Sequence, residues 1–370
     1  MSTRVSVICP AHNRSEAIRP TLASVLGQSV TDWELVVVAD GCTDDTAEVA
    51  ADAARGDRRV TVVRNDGVGH PSPARQLGLA RSTAPVVAYL DHDDQWRADH
   101  LQVLLALVDS GADVVATGYT AYDDNGTLVR RCRSDELIWH PDRQAMLPLF
   151  EPSRVAHRRD TLRDVGGWQV TTGLEDWDLW WRLARAGRRF ATAMEPTARI
   201  LQGQRTRRAR LLPTYWAPIL MGAAPRDLAL LRSQLDLQDV RERLSQAAHA
   251  DRAQMLCAHL ADGAVLPVGA PERVDTGDGE RQDELPRGRP LSLVPWQGRY
   301  AVAQPLYCSD ADHAGVVRQL IARWSPRQRA VLRGLVLDLG LGQRVEVPDE
   351  DSAPRPSTHH VLNPCQESLP

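Results

Sequence analysis

Short apolar runs punctuate the first third of the chain, at 5–9 (VSVIC), 34–39 (ELVVVA), 60–63 (VTVV), 86–90 (VVAYL) and 113–116 (DVVA). They are rich in β-branched residues and almost unbroken by polar ones, as strands buried on both faces of a parallel sheet read. The stretches between them, 15–28, 43–55, 72–82 and 97–109, carry helical patterning. In the first, Ile18, Leu22, Val25 and Leu26 share one face. Thr43 is placed to cap the second, with Asp44 and Asp45 in its first turn. This alternation predicts an α/β fold with a Rossmann-like, mostly parallel sheet and right-handed crossovers.

The pattern changes after residue 210. Leu228, Leu230, Leu231, Leu235, Val240 and Leu244 recur at helical spacing, so 226–262 reads as helix. Residues 269–290 are rich in Gly, Pro and charge and read as a linker. A strand-like RYAVAQPLY and two helix-like stretches, 313–324 and 325–339, predict a small α+β unit. The expected layout is a main domain over 1–210, with a nucleotide-binding half at 1–125 and an acceptor half at 126–210. A helical extension (211–268), the linker (269–290), the small unit (291–348) and a disordered tail (349–370) follow. Dimerisation, acceptor recognition and carrier-protein docking all fit the small unit.

Charge and cysteine usage narrow the chemistry. The 370 residues carry 44 basic against 48 acidic groups, a net charge of −4, which gives no reason to expect nucleic-acid binding. Every basic residue is arginine, which excludes a lysine Schiff base or a P-loop lysine. The six cysteines form no CxxC pair, and the first residues lack a signal-peptide apolar region, which points to the reducing cytoplasm. The uncharged run at 211–225 is too short and too proline-rich to span a bilayer, and its prolines argue against a helix lying on a membrane.

Ligands of such a sheet bind beyond the carboxyl ends of its strands. The first strand ends in Pro10-Ala11-His12-Asn13-Arg14, the second in Asp40-Gly41, the fourth in Asp91-His92-Asp93-Asp94. Carboxylates spaced D-x-D repel unless a cation or water lies between them, and oxygen donors suit Mg²⁺ or Mn²⁺. No GxGxxG follows the first strand, which argues against a dinucleotide site.

The stretches VSVICPAHNRSEAIRPTLASVLGQ, WELVVVADGCTDDT, PSPARQLGLA, VVAYLDHDDQW and VGGWQVTTGLEDWDLWWRLARAG together resemble a family-2 glycosyltransferase of GT-A fold, over roughly residues 4–205. The resemblance implies an inverting transfer from a nucleotide-diphosphate sugar. It implies that Asp40 binds the base, with Pro10, His12, Asn13 and Arg14 lining the nucleoside and Arg75 touching phosphate or nucleoside. It also implies that Asp93 ligates a divalent metal, that Asp91 contacts ribose or the metal's water shell, and that Asp176 is the catalytic base beside Glu175. Asp94 is expected to structure the next turn, and Asp178 to serve the electrostatics of its helix N-terminus.

One departure stands out. Relatives carry a histidine downstream of the acidic pair, but 198–205 holds none; Arg205, Arg207, Arg208 and Arg210 follow. They could neutralise the diphosphate, grip an acidic acceptor or form a solvated basic turn. Asp40 favours UDP or dTDP, whose base has a free N3–H. The acceptor class stays open between a small molecule, a peptide and an envelope precursor. The alternatives are a nucleotidyltransferase acting on a sugar phosphate and a non-catalytic nucleotide-sugar binder.

Overall fold

The computed structural model describes residues 3–67, 69–171, 174–202, 215–270, 292–296, 298–306 and 311–349. Two compact units divide the chain: Met1–Leu211 with Val265–Val274, and Leu212–Ala264 with Asp275–Pro370.

The first unit alternates strand and helix as its apolar runs require. Its elements are β1 (Val5–Ala11), α1 (Ser15–Leu26), β2 (Trp33–Asp40), α2 (Thr46–Ala54), β3 (Val60–Asn65), α3 (Pro71–Ala80), β4 (Val86–Tyr89), β5 (Gln95–Trp96) and α4 (His100–Asp109). There follow β6 (Val114–Tyr122), β7 (Leu128–Arg131), α5 (Ser134–Leu137), α6 (Pro141–Met146), β8 (Val155–Arg158), α7 (Glu175–Arg185) and β9 (Phe190–Leu201). Among the described residues the sheet runs β3-β2-β1-β4-β8-β6-β9-β5, with β7 beside β6. The pairs β1–β2, β2–β3, β1–β4 and β6–β9 are parallel. Alternate residues face opposite layers, as strand pleating dictates. Val7, Cys9, Leu35 and Val37 pack with Leu22 of α1 and Leu104 of α4. Ile8, Val87 and Tyr89 pack with Leu179, Trp180 and Leu183 of α7.

The mostly parallel α/β sheet is as expected, but one strand was not foreseen and two helix starts are corrected. Strand β8 lies antiparallel between β4 and β6, so the apolar run at 113–116 does not pair directly with 86–90. Its four residues, VAHR, are too few and too mixed to announce a strand. Helix α2 starts at Thr46, not Thr43. The Asp44 carboxylate accepts from Thr46 N at 3.0 Å, while Thr43 N donates to Asn13 Oδ1 at 2.8 Å. Helix α4 starts at His100 rather than 97.

Residues 265–268 belong to the first unit, where Trp139 and Ala193 form isolated bridges to Val265 and Val268. The second unit contains β10 (Tyr215–Gly222), α8 (Pro225–Leu235), α9 (Gln238–Ala261), β11 (Ser292–Trp296), β12 (Arg299–Leu306), α10 (Ala311–Trp324), α11 (Pro326–Asp338) and β13 (Val345–Glu346). An antiparallel sheet, β11-β12-β10-β13, shares a core of Leu220, Val302, Leu228, Leu231, Leu332 and Val336. The helix expected over 226–262 is broken at Asp236-Leu237, and 215–222 is strand rather than helical extension. The expected linker falls largely, and the tail almost wholly, outside the described residues. No helix among the described residues is long and apolar enough to cross a membrane.

Candidate active site

The carboxyl ends of β1, β2 and β4 meet the N-terminus of α7 around a crevice of about 580 Å³. Pro10, His12, Arg14, Asp40, Arg75, Asp91, Asp93, Glu175 and Asp176 all line it. Asn13 does not: it sits at φ 50°, and its side-chain Oδ1 accepts from Thr43 N. In this structure the Asn13 side chain clasps the neighbouring loop. Arg205, Arg207, Arg208 and Arg210 lie outside the described residues.

Asp40 ends β2 and is only 2% exposed. Its carboxylate accepts from Gly69 N at 2.9 Å and from the Asn65 side-chain amide. A carboxylate has about four lone-pair sites, so room remains for one more donor. A Cβ on Gly67 would lie 1.9 Å from Asp40 Oδ1, and one on Gly41 would lie 2.3 Å from the Gly67 carbonyl oxygen. The close approach of the 65–69 loop thus depends on two glycines. His12 donates from Nδ1 to the Asp40 carbonyl at 2.7 Å, because a carbonyl only accepts. That bond holds the ring at the crevice wall beside Asp40.

The turn after β4 is held from three sides. The Asp91 N–H donates to the Ser153 hydroxyl at 3.0 Å, and that hydroxyl donates to Asp94 Oδ2 at 2.5 Å. Asp94 Oδ1 accepts from Leu201 N at 2.8 Å, so Asp94 structures the turn as expected. Thr21 of α1 donates to the Asp94 carbonyl at 2.7 Å. His92 donates from Nδ1 to the Pro10 carbonyl at 3.1 Å, and its Nε2 stands 3.9 Å from Asp93 Oδ2. Arg14 Nε stands 3.9 Å from the same oxygen. Burial pushes the Asp93 carboxyl above its usual range, with the charge of Asp91 adding to the shift against His92 and Arg14. Burial, then Asp93 and Asp91, push Asp94 well up.

Arg75 projects from α3, whose N-terminus His70 caps by accepting from Ser72 N. Its NH2 donates to Asp91 Oδ1 at 2.6 Å and its NH1 to Glu175 Oε1 at 2.8 Å. The expected phosphate or nucleoside contact therefore meets a guanidinium already engaged by two carboxylates. Leu174, at φ 51°, leads into α7, and Glu175 and Asp176 occupy its buried first turn, where the helix dipole favours negative charge. Asp178 pairs with Arg182 at 2.8 Å, and Arg182 also donates to the Val165 and Gly167 carbonyls.

The sequence reading did not single out Asn65, Gly67, Gly69 or Ser153. The Asn-Asp-Gly stretch after β3 was a usable turn signal. Nothing local marks Ser153, whose role depends on residues 59 and 62 positions away.

Residues 6–165 match the family model described as glycosyl transferase family 2. The putative teichuronic acid biosynthesis glycosyltransferase TuaG of Bacillus subtilis is 35% identical over 124 residues, covering 33% of this chain and 49% of that protein. The UDP-Glc:alpha-D-GlcNAc-diphosphoundecaprenol beta-1,3-glucosyltransferase WfgD of Escherichia coli is 30% identical over 104 residues, covering 28% and 40%. The S. aureus TarS 1–349 structure in complex with UDP-GlcNAc is 20% identical, with a TM-score of 0.48, covering 70% of this chain and 73% of that one. The chain spans about half or less of the length of the curated relatives it matches. The strand-end carboxylates, the α/β sheet and the match over 6–165 agree: that segment, less than half of the chain, is similar to glycosyl transferase family 2.

Proposed function

We propose that the chain moves a glycosyl group, with inversion, from a nucleoside-diphosphate sugar to an acceptor nucleophile. The observation that carries this is one crevice lined by a strand-end carboxylate (Asp40), a D-x-D pair (Asp91, Asp93) and a helix-borne carboxylate (Asp176). Asp40 accepts the N3–H of uracil or thymine, with His12 and Pro10 forming the wall beside it. UDP and dTDP donors therefore lead, in line with the UDP-Glc named for WfgD.

Asp91 and Asp93 suit a hard divalent cation, because both bring carboxylate oxygens to the same crevice. When bound there, Mg²⁺ or Mn²⁺ supplies Lewis-acid stabilisation of the charge on the departing diphosphate. Asp176 takes the proton of the acceptor hydroxyl as its oxygen bonds to the anomeric carbon and the bond to the diphosphate oxygen breaks. Glu175, held by Arg75, fixes the first turn of α7 beside it.

The test is Asp176→Asn. UDP release from UDP-glucose and UDP-N-acetylglucosamine is expected to fall by about 10²–10⁴-fold, the usual span of general-base catalysis, with UDP affinity kept. Turnover retained in that variant removes Asp176 from the mechanism. Pyrophosphate release from a nucleoside triphosphate by the wild-type chain would instead favour a nucleotidyltransferase.

A further inference from the structure

We infer that Arg75 is a positioning residue, which sets the acceptor-side carboxylate Asp176 through Glu175, with Asp91 as its own anchor on the other side. The inference rests on the transferase reading above and departs from the phosphate contact expected of this arginine. Four segments meet at one guanidinium. Arg75 comes from α3, Asp91 from the turn after β4, Trp168 from the loop before α7, and Glu175 from the first residue of α7.

The geometry is that of a spacer. Arg75 is 2% exposed, and its two terminal nitrogens each meet a different carboxylate, at 2.6 and 2.8 Å. A guanidinium is planar and rigid, so both bonds together set the separation of Asp91 from Glu175. Its central carbon lies 4.5 Å from the centre of the Trp168 ring, and this stacking restrains tilt of the plane. Glu175 directly precedes Asp176, so any shift of the first turn of α7 moves the carboxylate that takes the acceptor's proton. A misplacement of about 1 Å can cost about 100-fold in rate. A lysine offers one point charge in place of the fork and cannot hold both partners at this spacing.

The experiment uses the full chain as wild type, Arg75→Lys, Glu175→Gln and the double variant. Glu175→Gln keeps the shape of the site and protects the test against a misfolded arginine variant. Melting temperature, UDP affinity with Mn²⁺ present, and UDP release from UDP-glucose and UDP-N-acetylglucosamine are measured on each. Each single variant is expected to lose about 100-fold in kcat with donor KM and UDP affinity within about threefold, and the double variant to be no worse than the poorer single. Loss of UDP affinity by about tenfold or more in Arg75→Lys, with KM rising in step, overturns the proposal in favour of a phosphate contact. Additive losses in the double variant overturn it as well, because they leave no coupling between Arg75 and Glu175. A wild-type chain that neither binds UDP nor releases it from either sugar nucleotide overturns the transferase reading, and this proposal with it.

Discussion

Asp40 shows how much a single side chain depends on the backbone around it. Its aspartate sits at a strand end where ligands of such sheets bind, so its candidacy was legible without coordinates. Its environment was not: the carboxylate is enclosed by Asn65 and Gly69, and Gly67 passes so near that a methyl group would overlap it. Gly67→Ala is therefore expected to push the 65–69 loop away. UDP affinity should fall by about tenfold or more, at a stability cost of about 1–3 kcal/mol for the forced backbone shift. Calorimetric UDP titration beside a denaturant melt checks both numbers, and unchanged affinity would show that the loop does not shape the base pocket. Asp93 and Asp176 were legible in the same way, each lying in a motif with a known order. The clasp of Asn13 on Thr43 was not legible, because its motif says nothing of whether the side chain faces the crevice or the neighbouring loop.

Elements carry a second kind of information, in the buried histidines that join them. His100, at the start of α4, stacks on Trp96 of β5 with ring centres 4.3 Å apart and bonds Thr197 of β9 at 2.7 Å. His157 of β8 bonds the Tyr89 hydroxyl of β4 at 2.8 Å. Burial pushes His100 down to about 3 and His157 to about 4, both from an ordinary value of 6.5. A lowered folded-state value means that the unfolded chain binds the proton first. The stability contribution is therefore present above pH 6.5 and is lost as pH falls through 6.5 towards 4 and 3. Each histidine is expected to contribute about 1.4 kcal/mol of lost stability per pH unit in that window. Denaturant melts from pH 7 to 5 check the slope. His157→Gln should be less stable at neutral pH yet show a shallower decline, and an identical slope would mean that His157 is not the titrating group. Strand β8 itself escaped sequence reading because four residues with one histidine and one arginine carry no apolar period.

At the scale of the whole molecule, two units with separate cores share one chain, and the candidate chemistry lies in the first. A nucleotide that binds the folded first unit must raise the melting point of that unit. UDP at about 100 times its dissociation constant should add about 2.7 kcal/mol, more with Mn²⁺ than with EDTA, and GDP should add less. Equal shifts with and without Mn²⁺ would argue against Asp91 and Asp93 as a shared metal site, while no shift with any nucleotide would favour a closed or degenerate crevice. The sequence by itself determined the alternation of strand and helix, the acidic strand ends and the order of motifs, because these are written in residues a few positions apart. Only the tertiary structure decided which of the arginines became a buried bridge. Arg75 and Glu175 are 100 positions apart and meet only when α3 and α7 converge on one crevice. The same holds for Ser153 beneath the D-x-D turn and for β8 between its neighbours. Their partners are chosen by hydrogen-bond geometry across the folded sheet, which no run of neighbouring residues records.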